Sequence, residues 1–290
     1  MKELEERASR AIIAATRIAA GLLWLANVHW KRPTNFGKSN GSGLYKYVKY
    51  GIDHPTFPPY AWVLEHVVSP NMTAFGWFTL ITASLLGALL ILGWRTRLVS
   101  LGGAAQAAAI GLSVAQAPNE WPWSYVLMVS VHLLLFATDA GTVAGFDGLR
   151  AKAAGYRRGV LTVGGAALLV GIAGIVASAD QPFTNRTGSL VGQNSYELKF
   201  LRFNTLAAVI CIGIGVLALA GWQLKRKEPV LLAAAAAAAC ALQVVVQWRT
   251  GSGGETGGIL GGNGGTLSLW LLLAIGLGIA GSRADAGARR

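Results

Sequence analysis

Long apolar runs alternate with short polar segments along the whole chain. Eight of these runs can each supply the roughly 20 residues that a helix needs to cross a bilayer. They lie at residues 11–30, 72–94, 98–117, 121–140, 159–178, 204–222, 229–248 and 266–282. The pattern therefore predicts an all-α integral membrane protein with about eight transmembrane helices.

Positively charged residues gather on every second connection between these runs. With the N-terminus inside, 15 of the 25 Lys and Arg residues fall on the cytoplasmic side. Loops rich in Lys and Arg stay in the cytoplasm, so both termini are predicted to be cytoplasmic. The 15 residues are Lys2, Arg7, Arg10, Arg95, Arg97, Arg150, Lys152, Arg157, Arg158, Lys225, Arg226, Lys227, Arg283, Arg289 and Arg290.

Composition supports the assignment to a membrane protein and argues against a nucleic-acid-binding protein. Hydrophobic residues make up 53% of the chain and charged residues 13%. The net charge of +12 would suit a nucleic-acid partner, but short basic turns at 150–158 and 225–227 explain most of the excess. We therefore expect a lipid bilayer as a partner and no nucleic acid. The Gly-rich composition and the lack of a eukaryotic targeting signal indicate a bacterial or archaeal cytoplasmic membrane.

Motifs for metal, haem and soluble-enzyme chemistry are missing from the sequence. The two cysteines, Cys211 and Cys240, lie inside predicted spans and have no partners at metal-ligand spacing. There is no phosphate loop, nucleophile elbow, HExxH or CxxCH motif. No metal site is predicted, and small buried hydrophobic side chains are the favoured interpretation of the thiols.

A charged segment at 147–159 divides the chain into two halves of four spans each. We predict one module at 1–150 and a second at 151–290. The first half has a long extracytoplasmic loop at 31–71, rich in proline and aromatic residues. Short interfacial helices are predicted in it near 43–51 and 59–68.

The second half contains a repeated loop. The pattern T-G-x-[LI]-[VL]-G-x-N-x-x-x-L occurs twice with a constant offset of 69 residues, which predicts a duplicated two-helix unit. Glycine and asparagine of this kind can form a ligand or partner site, and they can also serve tight re-entry of the chain between packed helices. The positions concerned are Gly188, Gly192, Asn194, Gly257, Gly261 and Asn263.

Polar groups at membrane depth are the candidates for chemistry. His132 is predicted near the middle of span four and shares a helical face with Met128 and Tyr125. Its imidazole can bond a quinone carbonyl or pass a proton, which makes it the candidate catalytic residue. The alternative is a buried histidine bonded to a neighbouring helix, for example to Gln106. Arg17 is predicted to extend its side chain toward the cytoplasmic side, and a buried functional ion pair is the alternative.

Three stretches of the first half resemble the DoxX-like membrane proteins, and within them the DoxD small subunit of thiosulfate:quinone oxidoreductase. They are the segment from Arg17 to Leu25 with Trp30-Lys31 after it, the segment 92–97, and the segment from Trp121 through His132 to Gly141. The resemblance covers residues 10–150. It implies a four-helix membrane module that works in oxidation of a reduced sulfur compound and reduction of quinone. Lys31, Arg97 and His132 match the family pattern.

Two functions follow from these observations as hypotheses. The first is a membrane subunit of a quinone-linked oxidoreductase that takes quinone as a substrate and oxidises thiosulfate or a related compound. The second is a non-catalytic anchor whose outer loops dock a larger partner subunit, or a second copy, on the extracytoplasmic side. A small-solute transporter ranks last because the repeat is not inverted. The predicted quinone or substrate contacts are Tyr125, Gln106, Lys31, Arg32 and Arg97.

Overall fold

Helices account for nearly all of the regular structure in the computed structural model, which describes residues 2–28, 31, 33, 35–149, 155–178, 186–189, 199–250, 260 and 264–282. The first half contains α1 Lys2–Val28, α2 Gly43–Asp53, α3 Pro58–Val63, α4 Met72–Leu92, α5 Thr96–Val114, α6 Pro122–Ala137 and α7 Phe146–Leu149. The second half contains α8 Gly155–Ser178, β1 Arg186–Ser189, β2 Lys199–Phe203, α9 Thr205–Leu224, α10 Glu228–Thr250 and α11 Gly264–Ser282.

Seven of the described helices are long and apolar enough to cross a membrane. They are α1, α4, α5, α8, α9, α10 and α11, and each coincides with one of the predicted runs. The remaining run, at residues 121–140, forms α6, which has 16 residues and is about 24 Å long at 1.5 Å per residue. The chain is thus a multi-pass membrane protein. The count of eight spans and the cytoplasmic placement of both termini stay predictions.

A single pair of short strands accompanies the described helices. β1 and β2 pair antiparallel, with Arg186 opposite Phe203. β1 contains Gly188 from the first copy of the repeated loop. The other predicted loop positions, Gly192, Asn194, Gly257, Gly261 and Asn263, lie outside the described residues. The duplicated unit therefore stays a prediction.

The long loop after α1 is helical where the sequence predicts helices. α2 covers the first predicted segment, and α3 continues directly into a five-residue π-helix at Leu64–Val68, which covers the second. Two prolines occupy the first turn of α3, where a missing N–H costs nothing. The loop folds back over α5, since α2 packs on that helix.

The two halves share an interface rather than standing apart. α11 packs on both α4 and α8. Trp77 of α4 and Trp248 of α10 have ring centroids 6.1 Å apart. A Cβ added to Gly276 would come within 3.1 Å of side chains from Leu92 and Val163, so the interface is close-packed from both sides. The boundary between modules at residue 150 stays a prediction.

Candidate functional site

A cavity of about 790 Å³ lies between α4 and α5. It exists because α4 packs mainly on α1 and α5 packs mainly on α6, so the two sequence neighbours touch each other less than they touch their partners. We call this space the slot. Its length follows α5 from Leu98 near the start of the helix to Ser113 and Val114 at its end.

Apolar side chains form most of the slot wall. Gly102 and Ala105 of α5 leave room on one side, and α4 faces them from the other. Two lining residues at the edge, Phe78 and Leu98, are 63% and 62% exposed, so the slot opens sideways toward the lipid. The remaining apolar lining from α4 and α5 is Phe75, Leu85, Leu86, Leu89, Val99, Ala109, Ile110 and Val114.

The polar groups of the slot gather toward the end nearest the 31–71 loop. Lys31 is only 3% exposed there, and its Nζ donates to the backbone oxygen of Asn27 at 2.6 Å and to the side-chain oxygen of the same residue. Tyr125 Oη donates to Glu120 Oε2 at 2.7 Å. Lys31, Asn27, Glu120 and Tyr125 all line the slot together with Tyr47.

Burial controls the protonation of these groups. Loss of hydration lowers the pKa of the Lys31 ammonium from 10.5 to about 7, because the charged form is disfavoured away from water. Burial raises the pKa of the Tyr47 phenol, and the nearby Glu120 charge raises it further. Burial also raises the pKa of Tyr60. Lys31 is therefore poised to gain or lose a proton near neutral pH, while these two tyrosines stay neutral.

Midway along the slot, Gln106 presents an amide. Its Nε2 donates to the backbone oxygen of Thr79 at 3.4 Å, a long bond that holds the side chain weakly. Tyr60 closes the space nearby and donates to the backbone oxygen of Ala109 at 3.0 Å, with Ser113 Oγ also at 3.0 Å. Three of the predicted contacts, Lys31, Gln106 and Tyr125, are thus brought together in one cavity.

His132 is buried outside the slot lining. Its Nε2 lies 2.9 Å from Nε1 of Trp24 on α1, and its Nδ1 lies 2.7 Å from the backbone oxygen of Met128. An indole nitrogen can only donate, so Nε2 must accept and Nδ1 must carry the proton. The bonded partner on a neighbouring helix is Trp24 and not Gln106, which corrects the alternative proposed from the sequence.

The position of His132 depends on a glycine of α5. A Cβ added to Gly103 would lie 2.1 Å from His132 Cδ2. Gly103 therefore leaves the space that the imidazole fills, while Gly102 and Gln106 on the neighbouring face line the slot. With both ring nitrogens bonded to protein, the imidazole joins α6 to α1.

Arg97 lies at the opposite end of α5 from Lys31. Its Nη2 contacts Asp139 Oδ1 at 3.2 Å, and both side chains are exposed, by 62% and 75%. It is not among the residues that line the slot. The structure therefore does not bring Arg97 together with the other predicted contacts. Arg32, the remaining predicted contact, lies outside the described residues.

Arg17 is fully buried and does not reach water. Its side chain extends toward the loop between α6 and α7, on the side where the sequence predicts it to point, but it stays beneath that loop. Its Nη2 donates to the backbone oxygen of Ala144 at 2.8 Å, because the loop before α7 folds over it. Burial disfavours the charged guanidinium, and the negative charge of Asp147 offsets part of this cost. The same carboxylate accepts from the backbone nitrogens of Arg95 and Thr96, each at 2.8 Å, and so caps the start of α5.

The sequence interpretation missed Asn27 and Glu120 as slot residues. A signal was present for Asn27, which stands four residues before Lys31. Glu120 precedes the start of α6, so its bond to Tyr125 follows no helical spacing. Among the described residues there is no group of three or more His, Cys, Asp or Glu that could hold a metal ion. Both cysteines are buried, and Cys211 Sγ lies 3.3 Å from the backbone oxygen of Ala167.

Comparison with known proteins identifies a family for more than half of the chain. Residues 13–168 match the family described as TQO small subunit DoxD. The matched region runs from within α1 into α8, and it includes every described residue that lines the slot. No curated protein matches the chain. No solved structure matches it either.

Proposed function

The chain belongs to the family of the DoxD small subunit of thiosulfate:quinone oxidoreductase, and from this premise we propose that the slot binds the quinone of such a complex. The observation on which the proposal depends is the arrangement of the slot, with apolar walls, one polar end and a side opening to lipid. A quinone has a flat ring with two carbonyl oxygens and an apolar tail, and it dissolves in the bilayer.

The size and lining of the slot suit such a ligand. Small-molecule sites are commonly clefts of about 300–1,000 Å³ with mostly apolar walls and a few polar groups that fix orientation. The volume of about 790 Å³ lies in this range. A carbonyl oxygen accepts hydrogen bonds, and Lys31 and Gln106 supply N–H donors on the lining.

The proposal divides the reaction between two subunits. A partner oxidises thiosulfate or a related sulfur compound, and this chain holds the quinone that receives the two electrons. His132 contributes by joining α6 to α1 behind the slot, and not by contact with quinone. An anchor that only docks a partner needs no ligand in the slot, so quinone binding separates the two hypotheses.

Filling the slot is the direct test. Gly102→Leu adds a side chain on the lining, where an added Cβ has Leu86 Cδ2 as its nearest neighbour at 3.9 Å, so the backbone tolerates the change. We expect affinity for a short-tailed benzoquinone, measured by isothermal titration calorimetry in nanodiscs, to fall about tenfold or more because the new side chain occupies the ring's space.

The matched control is Gly213→Leu on α9. Gly213 also has open space around it, with no atom within 4 Å of an added Cβ, and it is exposed outside the slot. This variant is expected to bind quinone as the parent does. Equal affinity in the parent and both variants would place quinone elsewhere. No binding by the parent, with a partner subunit that co-purifies in stoichiometric amount, would favour the anchor.

A further inference from the structure

We infer that the slot binds the reduced form of its ligand, a quinol, more tightly than the quinone, and that Gln106 is the residue that determines this preference. The inference rests on the proposed function and names the redox form that the same site favours. A quinone has two carbonyl oxygens, which only accept hydrogen bonds. A quinol has two hydroxyl groups, each of which donates one hydrogen bond and still accepts others. The balance of donors and acceptors on the lining therefore distinguishes the two forms.

Gln106 supplies both a donor and an acceptor to the middle of the slot. It lies on the lining one turn after Gly102, and it is partly buried. The long bond from Nε2 to the backbone oxygen of Thr79 is the one hydrogen bond that this side chain forms with the described residues. That bond uses one N–H of the amide, so the second N–H and the lone pairs of Oε1 are available to a ligand.

The two hydroxyl groups of the α4 wall act as acceptors toward the slot. Thr79 Oγ1 donates to the backbone oxygen of Phe75 at 3.1 Å, and Thr82 Oγ1 donates to that of Phe78 at 2.8 Å. Both threonines line the slot. A hydroxyl that donates in this way keeps its lone pairs for a second partner. The α4 wall therefore offers acceptors to a ligand, and a donor only if an existing bond breaks.

The hydroxyl groups further along α5 are arranged in the same way. Ser113 stands seven residues after Gln106, on the same helical face and roughly 10 Å further along the axis. Ser113 Oγ and Tyr60 Oη both donate to the backbone oxygen of Ala109, at 3.1 and 3.0 Å. The two hydroxyl oxygens are also 3.0 Å apart, so their hydrogens stay within this group. Here too, acceptors face the ligand.

The ring of the ligand is placed at the level of Gln106. Gly102 leaves open space in the wall there, and the exposed Phe78 marks the opening through which an apolar tail reaches the lipid. The polar end of the slot lies beyond this level and contains its own pair, in which Tyr125 donates to Glu120. Among the lining residues from α4 and α5, only Gln106 has a side-chain N–H group.

Acceptors around the ring therefore outnumber donors. A quinone can accept the second N–H of Gln106, but any further bond requires a hydroxyl to give up its backbone acceptor. A quinol accepts the same N–H and also donates its hydrogens to acceptors such as Gln106 Oε1 and Thr79 Oγ1, without that loss. Since one extra hydrogen bond changes a dissociation constant by about tenfold, we expect the quinol to bind about tenfold more tightly.

This preference assists the reduction that the proposed function assigns to the complex. Reduction adds two electrons, from the sulfur compound that the partner oxidises, and two protons from water. A site that binds the product form tenfold more tightly raises the two-electron midpoint potential of the bound couple by about 30 mV. The bound quinone therefore accepts electrons more readily than quinone dissolved in the bilayer.

Calorimetry in nanodiscs, with a short-tailed benzoquinone and with its quinol under anaerobic conditions, tests the inference. Gln106→Leu is expected to bring the ratio of the two affinities close to one. Thr79→Val removes an acceptor, so it is expected to weaken quinol binding about threefold and to leave quinone binding unchanged, whereas a structural defect would weaken both. The control is Thr162→Val on α8, because Thr162 Oγ1 donates to the backbone oxygen of Arg158 in the same way but does not line the slot.

The possible results distinguish this inference from the proposed function. If the parent binds quinone as tightly as quinol, or more tightly, while Gly102→Leu loses binding, the slot stands and the inference is overturned. A quinol preference that persists unchanged in Gln106→Leu also overturns it. If Gln106→Leu does not fold, Thr79→Val decides, and an unchanged ratio in that variant counts against the inference. If the parent binds neither form, the proposed function itself fails.

Discussion

Asp147→Ala is expected to lower the free energy of unfolding by about 3 kcal/mol or more. The change removes both acceptors that cap the start of α5, at Arg95 and Thr96. It also removes the negative charge that stabilises Arg17, whose side chain is fully buried. The two lost backbone bonds and the lost charge both contribute to this decrease. Thermal unfolding in detergent, followed by tryptophan fluorescence, measures the effect.

Asp139→Ala is the matched control for this experiment. Asp139 lies in the loop between α6 and α7, just before the helix that contains Asp147, and contacts Arg97. Both partners are exposed, so water screens their attraction. Little or no change in the unfolding temperature is expected. If the two alanine variants unfold alike, Asp147 has no special relation to Arg17 and α5, and the loop between α6 and α7 is held by its backbone bonds instead.

His132→Ala is expected to lower the free energy of unfolding by about 3 kcal/mol or more. The truncation leaves Nε1 of Trp24, which is fully buried, without its acceptor. It also leaves a cavity against Gly103, where the imidazole now fills the space. The neighbouring Leu133→Ala, with a side chain 48% exposed to lipid, is the control and is expected to change stability much less.

A double replacement identifies the source of this loss. Trp24→Phe removes the donor that His132→Ala leaves unpaired. The double variant should therefore lose less free energy of unfolding than the sum of the losses in the two single variants. Folded His132 variants are expected to keep quinone affinity, because His132 does not line the slot. Full stability of His132→Ala together with lost quinone binding or turnover would contradict this and support the catalytic role predicted from the sequence.

The slot residues show how far sequence reasoning reaches. The sequence predicts Lys31 through the family pattern, and Tyr125 and Gln106 through their relation to His132, and the structure places all three on one cavity. Arg97 was chosen on the family pattern, and the structure places it at the other end of α5 with Asp139. Residue type indicates which side chains are candidates for a site. The sequence does not show at what level along the helices each of these side chains meets a residue of another helix.

The sequence by itself determined that this chain is a helical membrane protein and where its helices run, because a bilayer requires each span to be long, apolar and internally hydrogen-bonded. Tertiary structure alone decided that α4 and α5 separate to form the slot, that Trp24 satisfies His132, and that a loop covers Arg17. Those outcomes depend on which faces of nearly uniformly apolar helices pack together. Apolar periodicity is weak in such helices, so close packing of small residues and the pairing of a few buried polar groups select the arrangement.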